Sequence, residues 1–159
     1  MAVLSIGAIG NTVAEAIDSL GGRSAYSLED GRSACSLEGG RSACSLEDGR
    51  SASPVEGIAH YDMRWLKPID EDILKEVAEN FDTIVTVEDG VINGGLGSAV
   101  AEYVVNKSAC SLEDGRQPRV IRLGVNDQFV EHGSTKELFQ MLKLDKEGIC
   151  ESLLQALEQ

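Results

Sequence analysis

Apolar positions in this chain fall into short runs separated by stretches with helical spacing. AVLSI (Ala2 to Ile6), GIAHYDM (Gly57 to Met63), TIVTV (Thr83 to Val87) and Val120 to Leu123 are brief, apolar-rich and bounded by Gly, Pro or charged residues, which predicts strands. Between them the period changes. A helix is expected to run to about Leu20, with Asn11 or Thr12 as its cap. DEDILKEVAENF, capped by Asp70, places Ile73, Leu74, Val77 and Phe81 on one face. A third helix is expected from about Ser98 to Val105. Ser134 followed three residues later by Glu137 forms a capping box before TKELFQMLK, and a last helix covers about Lys146 to Leu157. Strand and helix alternating in this way predict an α/β fold: three layers, αβα, around a mainly parallel four-stranded sheet.

The alternation is interrupted by a nine-residue unit. From Gly22 to Gly57 the chain reads GRSAYSLED, GRSACSLEG, GRSACSLED, GRSASPVEG, and a partial copy, SACSLEDGR, returns at Ser108 to Arg116. A calcium β-roll needs Gly and Asp where these units hold Ser and Tyr or Cys, and a helical solenoid needs far longer repeats. Each unit offers little apolar material to offset the entropy of ordering it. The expectation is therefore one domain, 1–159, carrying a mobile insertion at 22–57 and a shorter copy at 108–116. Both blocks fall on helix-to-strand connections, whereas the functional crevice of an open α/β sheet is built from the strand-to-helix loops. Long surface loops at that opposite edge cost little closure entropy.

Charge and cysteine usage narrow the partners. A formal net charge of −13 over 159 residues argues against nucleic acid and anionic membrane. The N-terminal run MAVLSIGAIG has no preceding Lys or Arg and is too short to span a bilayer, so it is read as a buried strand. Three of the four cysteines, Cys35, Cys44 and Cys110, belong to the repeats, and Cys150 lies in a helical pattern. With no C-x-x-C spacing, a zinc site is not supported, and free thiols in a reducing cytoplasm fit best.

Four strand-to-helix loops carry the candidate chemistry: Gly7 to Asn11, Arg64 to Asp70, Glu88 to Gly97, and Gly124 to Gly133. GGLGSAV in the third, with Gly94, Gly95 and Gly97, invites a dinucleotide reading but fails the fingerprint, because Val100 stands where the third small residue belongs. Close packing of loop against backbone is the preferred account of these glycines. Glu88, Asp89 and Asp127 have the chemistry of general acids or bases, although helix caps and solvated loop charges are the commoner fate of such residues. His132 lies at the functional edge beside Glu131, whereas His60, alternating with Ile58 and Asp62, is read as structural. Two histidines in the whole chain do not support a Ser–His–Asp or Cys–His arrangement.

HYDMRWLKPIDEDIL, TVEDGVINGGLGSAVAE and RLGVNDQFVEHGS together resemble the C-terminal, transketolase-like domain of 1-deoxy-D-xylulose-5-phosphate synthase. The pattern D-x-R-x-x-x-P-x-D, here Asp62, Arg64, Pro68 and Asp70, with Lys67 before the proline, is shared with transketolases and with the β subunits of 2-oxo acid dehydrogenases, whose C-terminal domains are the alternative reading. VEDG, GGLGSAV and DQFVEHG point more closely to the synthase. The resemblance implies a transferase that condenses pyruvate with glyceraldehyde 3-phosphate on thiamine diphosphate and magnesium, feeding isoprenoid, thiamine and pyridoxal phosphate synthesis. It also implies that the cofactor-binding and catalytic groups belong to N-terminal domains outside this chain. Glu-Asp-Gly recurs at Asp30, Asp48, Asp89 and Asp114, but Glu in place of a leading Gly blocks the close backbone approach that a diphosphate needs.

On that resemblance the chain itself is expected to be inactive, to bind neither thiamine diphosphate nor magnesium, and to serve in dimerisation and in packing against the catalytic domains. Asp62, Arg64, Lys67, Pro68, Asp70, Glu88, Asp89, Gly94, Gly95, Gly97, Asp127, Glu131 and His132 are the candidates for those interfaces, and no catalytic residue is assigned. A non-catalytic binding module on the same fold, using the acidic repeats to hold a partner, is the alternative from a different class. The chain departs from the family in its repeats and in starting at the strand AVLSI, where the family domain normally begins with an earlier antiparallel edge strand, so an exposed edge at Gly57 to Met63 is expected to favour association.

Overall fold

The computed structural model describes residues 1–21, 57–108 and 117–158. The expectations placed on the repeats at 22–57 and 108–116 therefore lie outside the described residues, apart from Gly57 and the backbone of Ser108. Among the described residues nine elements follow in order: β1 (Ala2–Ile6), α1 (Ile9–Ser19), β2 (Ala59–Asp62), α2 (Glu71–Asn80), β3 (Thr83–Val91), α3 (Leu96–Ser108), β4 (Arg119–Val125), α4 (Thr135–Met141) and α5 (Lys146–Leu157). All strand pairs are parallel, in the order β2-β1-β3-β4. The three-layer reading holds.

Alternation along the two central strands builds two cores. Val3, Val85 and Val87 face α1 and α5, where Ile9, Val13, Ile17, Ile149 and Leu153 meet them; Ala2, Leu4 and Ile84 face α2 and α3, with Leu74, Val77, Leu96 and Val100. Strands covered on both faces read as unbroken apolar runs, and for that reason AVLSI and TIVTV carry no polar alternation. Each fully buried Val, Leu or Ile contributes about 1.5–3 kcal/mol relative to exposure, so the sheet's centre dominates stability.

Two local signals behave as read. The Asp70 carboxylate accepts from the amides of Asp72 and Ile73 at 3.1 and 3.0 Å, and Ser134 with Glu137 completes the capping box. Hydrogen bonds from the Ser134 hydroxyl and amide hold the Glu137 carboxyl below its usual range.

Elsewhere the boundaries shift for identifiable reasons. Neither Asn11 nor Thr12 caps α1. The helix starts at Ile9 after Ala8, with no side-chain cap, because Gly7 at φ 84° turns the chain directly out of β1 and its carbonyl receives the Gly10 amide. β3 does not stop at Val87. It continues through a register irregularity to Val91, which pairs with Val125, so Glu88 and Asp89 stand on the strand and not in a loop. β4 likewise runs from Arg119 to Val125, whereas β2 is confined to Ala59–Asp62.

The topology puts the repeats' attachment points where the sequence places them. Gly21 and Gly57, both with positive φ, bracket the α1-to-β2 connection at the amino ends of the strands, where the Met1 ammonium donates to the Gly57 carbonyl at 2.8 Å. The strand-to-helix loops gather at the other end.

Candidate functional site

The order β2-β1-β3-β4 sends α1 to one face of the sheet and α3 to the other, from neighbouring strands. The carboxyl ends of β1 and β3 are therefore the switch point at which an open α/β sheet forms a crevice. Gly7 and Asp89 face each other there: a Cβ on Gly7 would lie 3.8 Å from Asp89 Oδ1.

Glu88 turns inward beside them. Its side chain is 5% exposed, and its two oxygens accept from the amides of Leu96 at 2.9 Å and Gly97 at 3.0 Å. A carboxylate at a helix N-terminus satisfies amides that have no partner within the helix and lies at the favourable end of the macrodipole. This contact starts α3 at Leu96, two residues earlier than the sequence suggests. Gly95 and Gly97 are there because the carboxylate and its surroundings leave no space. A Cβ on Gly95 would come within 1.9 Å of Glu88 Oε2, and one on Gly97 within 2.8 Å of Thr86 Oγ1 and of Arg122. GGLGS is thus a close-packing motif around a buried carboxylate, consistent with the packing account and not with a phosphate cradle.

Ser98 joins the remaining ends of this loop. Its hydroxyl donates to the Ile92 carbonyl at 3.0 Å and accepts from the Gly94 amide at 2.9 Å, and Arg122 Nη1 donates to that hydroxyl at 3.4 Å and to the Ile92 carbonyl at 3.3 Å. The sequence reading did not single out Ser98 or Arg122. The only signal for either was the run of glycines, which reports crowding without naming what crowds.

In the second loop the motif residues shape the chain. Asp62 Oδ1 accepts from the Arg64 amide at 3.1 Å, a turn that lets Arg64 adopt φ 53°, and the two side chains form a partly exposed ion pair at 3.7 Å. The Trp65 amide donates to the Met63 carbonyl, the Lys67–Pro68 bond is cis, and Asp70 begins α2. The consequence is a loop that displays Trp65, 71% exposed, at the margin of the sheet. Sequence reasoning passed over this tryptophan because it sits between the residues of a recognisable pattern.

Asp127, Glu131 and His132 of the fourth loop are all exposed. They are not brought against Glu88, and the structure assembles no acid–base pair from them. His60 is 3% exposed on β2 and its Nε2 lies 2.7 Å from the hydroxyl of the buried Ser5. Burial drives its pKa down to about 4, against the opposing pull of Asp62 and Asp18, so the ring is neutral at pH 7. Gly10 passes close over this pair, its Cβ position 3.0 Å from Ser5 Oγ. Enclosure beneath α1 gives Ser5 and His60 a structural role, as read for His60.

Among the described residues no three His, Cys, Asp or Glu side chains are disposed to hold a metal ion, and no helix is long and apolar enough to cross a membrane. Chemically, the end of the sheet offers a buried carboxylate that caps a helix and several exposed polar and aromatic residues around it.

Known proteins place this arrangement. A model of the transketolase C-terminal domain matches residues 57–149. The chain is 38% identical over 153 residues to 1-deoxy-D-xylulose-5-phosphate synthase of Parabacteroides distasonis, an alignment covering 96% of this chain and 18% of that protein. It is 46% identical over 99 residues to the synthase of Phocaeicola vulgatus, covering 62% of this chain and 15% of that one. The chain thus spans less than a fifth of the curated relatives it matches. Among solved structures it is similar to a "Split gene transketolase, inactive beta4 tetramer", with TM-score 0.65 and 25% identity over 99% of this chain and 39% of that one. The match to the domain model spans most of the chain and both loops built around Pro68 and Gly95, so the protein belongs to the transketolase C-terminal domain family.

Proposed function

We propose that this chain forms the C-terminal domain of a transferase of the 1-deoxy-D-xylulose-5-phosphate synthase type, joining pyruvate to glyceraldehyde 3-phosphate with loss of carbon dioxide. Its part is assembly: it packs against the catalytic domains and contributes to a homodimer, in the cytoplasm, and makes no product by itself. The observation that carries this reading is the engagement of Glu88. The buried carboxylate at the centre of the crevice caps α3 through both oxygens, so protonating it would weaken its bonds to the Leu96 and Gly97 amides, a structural use of the group and not an acid–base one.

Thiamine diphosphate is the group such an enzyme uses, and when bound it supplies the carbanion chemistry of decarboxylation. Holding it takes a divalent cation bridging the diphosphate and a carboxylate facing the pyrimidine. The described residues do not fit that demand, since they offer no metal-ligand cluster and the buried carboxylate is already used. No step is therefore routed through the cofactor in this chain.

Calorimetry with thiamine diphosphate and magnesium, run beside an assay for deoxyxylulose phosphate, tests the reading. The expected result is no binding and no product from the chain alone. Product should appear when the chain replaces its matched segment in the Parabacteroides distasonis synthase. Micromolar cofactor binding, or turnover by the isolated chain, overturns it.

A further inference from the structure

Ser98 ties together the peptide groups on either side of Asn93. Its hydroxyl donates to the Ile92 carbonyl at 3.0 Å and accepts from the Gly94 amide at 2.9 Å. Asn93 itself is exposed, and its side-chain amide makes no hydrogen bond with any other described residue. It belongs to the only Asn–Gly pair in the sequence.

That pair carries its own chemistry. The main-chain nitrogen that follows an asparagine can close a five-membered ring on the side-chain carbonyl, and glycine, lacking a Cβ, puts nothing in its way. At Gly94 the space is open: φ is 82° and a Cβ there would meet no atom within 4 Å. The attacking group is the same Gly94 N–H that Ser98 holds. We propose that Asn93–Gly94 is a site of spontaneous covalent modification, deamidation to isoaspartate, whose rate Ser98 restrains and whose product loosens the start of α3. This inference is independent of the function proposed above.

The reaction consumes only water. The Gly94 nitrogen gives its proton to hydroxide and bonds to Asn93 Cγ, and the Cγ–Nδ2 bond breaks as Nδ2 takes a proton from water and leaves as ammonia. Water then opens the succinimide at one of its two carbonyls. Opening at the former side-chain carbonyl leaves aspartate, whereas opening at the main-chain carbonyl leaves isoaspartate, in which the chain runs through Cβ and Cγ and a free carboxylate stays on Cα. The main chain is then longer by one methylene directly before Gly94, close to the Leu96 and Gly97 amides that bind Glu88. A loop packed so tightly around that carboxylate that Gly95 has no space for a Cβ cannot take up the extra atom without moving those amides.

The test ages the chain in warm, mildly alkaline buffer, folded and unfolded in urea, and follows the tryptic peptide that contains Asn93 by mass and by methylation with an isoaspartyl-specific methyltransferase. The Asp–Gly pairs at Asp30, Asp48, Asp89 and Asp114 can form the same ring but expel water and gain no mass, so the measurement is resolved by site. Folded Ser98→Ala should be modified at Asn93 about three- to tenfold faster than the folded parent, the factor that one hydrogen bond is worth when it must break before the attack. Ser98→Thr keeps the hydroxyl and should react like the parent. Unfolding the parent should accelerate the reaction by at least the same factor, a comparison that needs no variant. The modified fraction, separated by its added negative charge, should melt below the unmodified chain. Absence of modification at Asn93 in the unfolded parent, or equal rates in the folded and unfolded parent, overturns the proposal. Equal rates for the parent and a cooperatively melting Ser98→Ala remove Ser98 as the restraint, and equal melting of modified and unmodified chains rejects the coupling to α3.

Discussion

Glu88 and Gly95 exclude one another's alternatives: a Cβ on Gly95 would fall 1.9 Å from the same Glu88 oxygen that receives the Leu96 amide. Gly95→Ala must therefore push the carboxylate off the helix. The loss combines a helix cap with a buried charge left short of partners, and the expected destabilisation is roughly 2–4 kcal/mol. Glu88→Gln keeps the volume but sets an NH2 against one of the two amides, and should cost about 1–3 kcal/mol. Urea denaturation of both variants against the parent measures this, and a neutral Gly95→Ala would contradict the packing derived from the structure.

Thr86 offers the opposite case. Its hydroxyl is fully buried beneath the first turn of α3 and has no hydrogen-bond partner, the condition in which a polar group costs stability. Thr86→Val keeps the branched shape that a central strand favours and removes the unsatisfied oxygen. We expect stabilisation of about 1 kcal/mol, read as a rise in melting temperature. A fall would show that the oxygen is satisfied, by water or by a shift of its neighbours.

His60 sets a pH dependence of defined sign. Unfolded, the imidazole takes its proton near pH 6.5; folded, burial delays this to about pH 4. Between those values the unfolded chain binds more protons, so stability falls as pH drops from about 6.5 towards 4 and is unaffected by this group above 6.5. The full difference amounts to roughly 3 kcal/mol. His60→Gln, which retains an amide for Ser5, should flatten the curve of unfolding free energy against pH over that interval relative to the parent. Parallel curves would remove His60 as the cause.

Asp70 belongs to the D-x-R-x-x-x-P-x-D pattern, yet its visible work is to cap α2 through the Asp72 and Ile73 amides. Asp70→Ala should cost about 1 kcal/mol, and Asp70→Asn should recover most of it, because Asn caps nearly as well. Melting curves separate the two explanations. If Asn is as damaging as Ala, the charge itself matters, for example to a partner domain.

What the sequence determined by itself is what short-range chemistry encodes. Asp70 and Ser134 lie within three residues of the amides they cap, a spacing that hardly depends on the rest of the fold. The apolar runs of β1 and β3 required cover on both faces, and alternating helices are the local means of providing it. The same logic failed at α1, where Asn11 and Thr12 were available as caps but the Gly7 turn began the helix ahead of them.

Other features depended on which segments became neighbours, and only the tertiary structure decided those. Ser5 meets His60 across 55 positions because β1 and β2 pair in register, and Glu88 reaches the α3 amides because β3 continues past Val87. The orphan hydroxyl of Thr86 and the half-covered flank from Arg119 to Lys143 follow from where the helix layers lie over the sheet. Residue type states what a side chain can bond or bury. Whether a partner or a cover is present is settled by the packing of elements far apart in the chain.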